Sequence, residues 1–206
     1  TMNTYLGASS TLSDKNISMS MFKNTKGVFI EGYLWYLESG KKIINKSVKE
    51  SKKNGGYVAL SLSDNICVDL YRKEIKKLIK EKSIDYLFGN KNEVSALLET
   101  NNTNLMLNEA LELSNYIGKI IITDGSNGSY LIENISIEHI KPVLHTQIID
   151  TTGAGDLYAS GFLKGIDMNL SGKECAYLGN LCGSEIIKVI GAKPDKNLFN
   201  LIKNIN

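Results

Sequence analysis

Residues 148–156 read Ile148-Ile149-Asp150-Thr151-Thr152-Gly153-Ala154-Gly155-Asp156, and this string decides more about the fold than any other. It reads as an apolar strand running into a turn of small residues and then into a helix over about 155–166. Leu157, Tyr158, Phe162, Leu163 and Ile166 supply the apolar face of that helix. Glycines at 153 and 155 let backbone N–H groups converge, because no side chain blocks close approach. The helix N-terminus adds exposed donors and a partial positive charge. Such a turn suits a phosphate, or charge developing on a transferring phosphoryl group. Asp156 falls in the first helical turn facing the same place, where a carboxylate can accept a proton from an attacking hydroxyl. The plainer alternative is a strand-to-helix connection in which Thr151 or Thr152 caps the helix and Asp156 complements its dipole. Two better-known phosphate loops are excluded. No Gly-x4-Gly-Lys-Ser/Thr string occurs. A dinucleotide fingerprint would need a glycine where Tyr158 stands and a following strand that 157–206 does not supply.

Upstream, two periods alternate. Val28–Glu31 is a short apolar run, residues 37–53 suit a lysine-rich helix stopped by Asn54-Gly55-Gly56, and Tyr57–Leu62 reads as a strand. Residues 68–82 predict a helix with Leu70, Ile75, Leu78 and Ile79 on one face and Lys73, Lys76, Lys77, Lys80 and Lys82 solvated. Ile84–Phe88 is the next strand, closed by Gly89-Asn90. Helices over about 92–99 and 104–116 lead to a strand at 119–123. This rhythm, with near-continuously apolar strands, predicts a mainly parallel sheet covered on both faces. Residues 119–149 then break into short β segments, and helices are expected over about 172–190 and 196–204. With no internal repeat and no low-complexity linker, 1–206 reads as a single domain. Thr1–Leu6 looks like a strand already under way with nothing to pair it.

The composition narrows the function classes. The chain has 206 residues, of which 42% are hydrophobic and 22% charged, enough to bury a core. A net charge of +2 argues against bulk electrostatic binding of nucleic acid. No apolar run is long enough to span a membrane, and the first twenty residues lack the features of a signal peptide. Cys67, Cys175 and Cys182 form no CxxC pair, which fits a reducing cytoplasm better than a zinc or disulfide framework. Cys175 and Cys182 are seven apart, as in a buried helix stripe, and His139 and His145 have no partner at a useful spacing.

Two further strings carry chemistry. Asn90-Lys91-Asn92-Glu93 puts Asn90 and Glu93 three apart after a strand. There they could attend a hydrated Mg2+, or simply form a capping box; the two readings are compatible. Thr123-Asp124-Gly125-Ser126-Asn127-Gly128 is a turn that could contact nucleotide phosphates or ribose, or serve only to join two strands.

Taken in order, the three strings resemble those of the ribokinase-like carbohydrate kinases of the PfkB family. Asp150–Asp156 is similar to the C-terminal signature, Asn90–Glu93 to the Asn-x-x-Glu motif, and Thr123–Gly128 to the nucleotide turn. The runs 84–90 and 148–156 look most like adenosine kinases, with Glu31-Gly32-Tyr33-Leu34-Trp35 in keeping. The resemblance implies a three-layer α/β/α core. It implies ATP-dependent phosphorylation of a nucleoside or sugar hydroxymethyl group, with Asp156 as general base. Gly153, Ala154 and Gly155 would form the anion hole, and Thr123, Gly125, Gly128 and Asn180 would meet the nucleotide. Glu93, with Asn90, would organise Mg2+ through water, and some members hold a monovalent cation such as K+ near the counterparts of Asp150 and Thr152. Against the family pattern, the first core strands, the β lid and the acidic residue that grips the acceptor have no counterpart here. The chain is therefore expected to be the C-terminal part of a longer kinase, homodimeric when it carries its lid, and a poor enzyme alone. A nucleotide-binding module without transfer activity is the alternative.

Overall fold

A computed structural model of the chain describes residues 5–144 and 147–204. Six strands form one sheet in sequence order: β1 (Gly27–Glu31), β2 (Tyr57–Ser61), β3 (Tyr86–Asn90), β4 (Lys119–Thr123), β5 (Ser129–Glu133) and β6 (Ser136–Ile140). β1 to β4 run parallel, and β5 and β6 fold back antiparallel. The parallel crossovers are α1 (Gly40–Lys53), α2 (Asn65–Lys80) and the pair α3 (Lys91–Leu98) and α4 (Thr103–Leu113). After β6 come α5 (Ala154–Asp167) and α6 (Gly172–Ile186).

Strand side chains alternate between the two faces, and here both faces are apolar. Leu60, Leu87, Ile120 and Ile122 point into one core with α1 to α4, while Ala59, Phe88, Ile121 and Leu131 point into a second core under α5 and α6. The expected three layers and mainly parallel sheet are present. Phe162 of α5 is fully buried on the second face, its ring 5.4 Å from that of Phe88 and 6.2 Å from that of Tyr86. α6 packs closely on α5 at Gly161, where a Cβ would lie 2.7 Å from the Leu178 carbonyl oxygen.

Several boundaries differ from the sequence reading, each for a local reason. β3 runs on to Asn90, since Gly89 and Asn90 pair in register with Ile122 and Thr123. α2 begins earlier, at the Asp64 cap, and carries non-helical dihedrals at Tyr71. Cys67 and Val68 share the face of Ile75, Leu78 and Ile79 at helical spacing and are buried, whereas Leu70 falls on the far side and is exposed. Residues 148–149 do not form a strand: Ile148 and Ile149 are exposed, and none of the strands among the described residues lies beside them. The N–H of Ile149 instead donates to the Ile187 carbonyl at 2.8 Å. α6 ends at Ile186, and the last helical segment, Leu198–Asn204, is 3₁₀ rather than α. Thr1–Thr4, from the expected first strand, and His145 lie outside the described residues; Tyr5 and Leu6 belong to no strand and enter a 3₁₀ turn at Gly7–Thr11. Cys175 and Cys182 are buried as expected. His139 lies on β6 with its Nε2 2.7 Å from the Asn127 carbonyl oxygen.

Phe162 joins α5 to the sheet, so Phe162→Ala should lower unfolding stability by about 3–5 kcal/mol, the range for emptying an aromatic core position. Urea denaturation followed by circular dichroism measures this; a loss below about 1 kcal/mol would mean that the second core does not depend on this ring.

Candidate functional site

The parallel strands all end at one edge of the sheet, where open α/β sheets bind ligands. The register Asn90↔Thr123 puts the ends of β3 and β4 side by side, so two motifs more than thirty residues apart in sequence meet there. A cleft of about 290 Å³ opens beside them. Thr123, Gly125 and Gly128 line one wall, Ala154 and Gly155 another, and Asn180 of α6 a third. Gly153, Asp156, Asp150, Thr152, Asn90 and Glu93 do not line this cleft. Asp156 is exposed one residue after the 154–155 wall, Asn90 lies beside Thr123 at the end of β4, and Glu93 follows in the first turn of α3.

The turn before α5 is open. Gly153 is the N-cap in the left-handed region (φ +80°), with no side-chain cap, so neither threonine plugs the helix mouth. A Cβ at Gly153 would sit 2.8 Å from that of Ala192, whereas one at Gly155 would meet nothing within 4 Å. The N–H of Ala154 donates to the Thr151 carbonyl at 3.2 Å. The N–H groups of Gly155 and Asp156 have no acceptor among the described residues, and the Asp156 carboxylate is exposed with no hydrogen bond or ion pair there. Two unpaired donors and an unpaired carboxylate at a helix N-terminus can bind an anion and accept a proton side by side.

Tyr158 positions this mouth. Its buried hydroxyl lies 2.9 Å from the Ser129 hydroxyl at the start of β5, tying the first turn of α5 to the strand that follows the 123–128 turn. Gly128 (φ +93°) closes that turn; a Cβ there would strike the Ile140 carbonyl oxygen at 2.2 Å. Asn180 donates from Nδ2 to the Lys141 carbonyl at 3.0 Å, which holds its side chain at the cleft.

Asp150 is half-buried and spends its carboxylate on donors of the protein itself. Its Oδ1 accepts from the Thr152 N–H (2.9 Å) and hydroxyl (2.7 Å), and its Oδ2 accepts from the Gly191 N–H at 2.8 Å. The Gly191 and Thr152 hydrogen bonds hold its pKa down at about 2. Asp150 thereby joins the turn to the 187–191 segment.

Asn90 and Glu93 form the capping box. Glu93 Oε2 accepts from the Asn90 N–H (2.8 Å), Oε1 from Asn90 Nδ2 (2.6 Å), and Asn90 Oδ1 accepts from the Glu93 N–H (2.9 Å). Burial pushes the Glu93 carboxyl above its ordinary value. Two of about four lone-pair sites on that carboxylate stay free. Among the described residues no three His, Cys, Asp or Glu side chains group to hold a metal ion. This donor set fits a hydrated Mg2+ reached through water and does not form a protein cage.

A family model for pfkB family carbohydrate kinases matches residues 1–197. The chain belongs to the pfkB carbohydrate kinase family. It is 28% identical over 149 residues to a nucleoside kinase of Methanocaldococcus jannaschii, an overlap covering 72% of this chain and 47% of that protein. The structure of adenosine kinase from Sinorhizobium meliloti superposes with a TM-score of 0.93 at 33% identity, over 100% of this chain and 62% of that one. A structure described as a ribokinase II from E. coli, in complex with ATP and Mg2+, shares the fold at a TM-score of 0.80 and 18% identity, covering 95% of this chain and 63% of that one. The ribokinase-like fold is thereby established, and pfkB kinases are phosphotransferases. The chain spans about half the length of the curated relative and under two thirds of the solved ones. No helix among the described residues is long and apolar enough to cross a membrane.

Glu31, at the carboxyl end of β1, stands at the same edge of the sheet; the sequence reading quoted it within the run Glu31–Trp35 but gave it no role. A carboxylate closing an apolar strand is the signal that could have found it. Its Oε2 accepts from the Ser63 hydroxyl at 3.0 Å, and Ser63 holds a positive φ of 70°. Burial first, and then the charge of Asp156, raise its pKa above 4.5, against the lowering effect of the Ser63 hydrogen bond. The fold thus favours the protonated form of Glu31, and the stability this confers is present below about pH 4.5 and lost as pH climbs through the raised value. Urea unfolding should show Glu31→Gln and wild type alike in acid, with the variant gaining relative stability toward neutral pH. Parallel pH curves would mean that Glu31 ionises freely.

Proposed function

We propose that this pfkB-family chain carries the nucleotide and phosphoryl-transfer half of an ATP-dependent kinase, acting on the hydroxymethyl group of a nucleoside or sugar. One observation carries the reading: two unpaired backbone donors and the unpaired Asp156 carboxylate stand together at the mouth of α5. In this reading Thr123, Gly125, Gly128 and Asn180 hold the nucleotide, and at the Gly153-Ala154-Gly155 turn the unpaired N–H groups of Gly155 and Asp156, rather than that of Ala154, receive the γ-phosphoryl oxygens. Asp156 takes the acceptor's hydroxyl proton while the acceptor oxygen bonds to the γ-phosphorus, and ADP leaves with the electrons of the broken P–O bond. Preorganised donors act here because charge accumulates on the transferring group and no dipole has to reorient. Mg2+, when bound, would neutralise phosphate charge, with Asn90 and Glu93 holding its waters. A monovalent cation near Asp150 and Thr152 would share a carboxylate already accepting three hydrogen bonds. The single continuous sheet supports reading 1–206 as one domain. Kinship to the adenosine and nucleoside kinases favours a nucleoside acceptor.

The second reading is a nucleotide-binding module without transfer, which would use the same cleft while Asp156 takes no proton. Calorimetry with Mg·ATP separates binding from chemistry. Gly155→Val fills open space and should weaken binding by about tenfold or more, the loss of one or two charge-assisted hydrogen bonds. Asp156→Asn should bind as wild type does. In a coupled ADP-release assay with adenosine, Asp156→Asn should cost about 10²- to 10⁴-fold in rate, and full-speed turnover in that variant refutes its role as base. Nucleotide binding without turnover in the wild-type chain would favour the module.

A further inference from the structure

The in-register pair Asn90↔Thr123 brings the next residue of each motif, Lys91 and Asp124, face to face across the carboxyl edge of the sheet. Lys91 Nζ lies 3.6 Å from Asp124 Oδ2, and both side chains are drawn in from solvent, at 34% and 17% exposure. Lys91 is the first residue of α3, where the helix dipole disfavours a cation. A lysine kept there against local preference needs a partner, and Asp124 is the one carboxylate within 4.0 Å of it among the described residues.

Asp124 presents the opposite conflict. It sits between Thr123 and Gly125, which both line the cleft, and its own N–H donates to the Gly128 carbonyl at 2.8 Å, which fixes the turn. Besides Lys91, its carboxylate has the neutral Asn127 amide, at 3.2 Å. Neither Asp124 nor Lys91 itself lines the cleft, but a bare carboxylate set between two lining residues would repel each phosphate that enters.

We propose that Lys91 is a charge-compensating positioning residue, which neutralises Asp124 beside the nucleotide cleft and so admits the polyphosphate of a nucleoside triphosphate. The proposal rests on the kinase reading above and adds to it a residue inside the Asn-x-x-Glu string whose charge sets triphosphate affinity. The effect scales with ligand charge. Loss of Lys91 penalises ATP most, ADP less and adenosine not at all, and salt screens the penalty.

Calorimetry on the full chain at fixed ionic strength, with ATP, ADP and adenosine as titrants, tests this. Lys91→Gln should weaken ATP binding by about tenfold while leaving adenosine affinity unchanged. Lys91→Arg should retain wild-type affinity, and adding Asp124→Asn to Lys91→Gln should restore ATP binding to within about threefold, as expected for a coupled pair. Wild-type ATP affinity in Lys91→Gln overturns the proposal and leaves the kinase reading intact. So does an equal loss for ATP and adenosine, or a double variant as weak as the single one. A wild-type chain that binds no nucleotide overturns both.

Discussion

The contact of α5 with the sheet governs everything that happens at the candidate site. Phe162 sits in the second core against Phe88 and Tyr86, one turn along from Tyr158, whose hydroxyl meets Ser129. These contacts set both where the helix begins and which way its first turn faces. Because interiors pack at near-crystalline density, a helix seated on rigid rings has little freedom to slide. The unpaired donors at Gly155 and Asp156 are therefore held beside the ends of β3 and β4. Gly161 matters for the same reason: without a Cβ, it lets α6 close over α5 and bring Asn180 to the cleft.

Around that anchor the site concentrates negative charge. Glu31, Glu93 and Asp156 come from three elements that converge on one edge of the sheet. Burial raises Glu31 and Glu93 above their ordinary values, a cost to the fold while they are ionised. Each is partly offset by hydrogen bonds, from Ser63 to Glu31 and from Asn90 to Glu93. Asp156 has no such support and stays exposed. A carboxylate without internal partners at an open helix mouth has its lone pairs free for a ligand, which distinguishes it chemically from Asp150, whose charge is committed to three hydrogen bonds.

Much of this was legible from residues alone. Continuous apolar strands alternating with amphipathic helices specify a parallel sheet with two covered faces, since no other packing buries both sides. The three motif strings announced the ends of β3 and β4 and the start of α5. Failures came where a neighbour rather than the local string decides. Ile148 and Ile149 have the composition of a strand but, among the described residues, no strand beside them. Leu70 is a different case: it is apolar, but its spacing from Ile75 and Ile79 puts it on the solvent side of α2, where it is exposed.

By itself, the sequence determined the layers, the order of elements and which short strings carry chemistry, because these follow from hydrophobic period and turn chemistry within a few residues. Only the tertiary structure decided that Asn90 stands beside Thr123, that Lys91 meets Asp124, that Glu31 feels Asp156, and that Gly153 leaves the helix mouth uncapped. Register and helix placement set those relations, and both depend on packing between residues far apart in the chain, which no local pattern encodes.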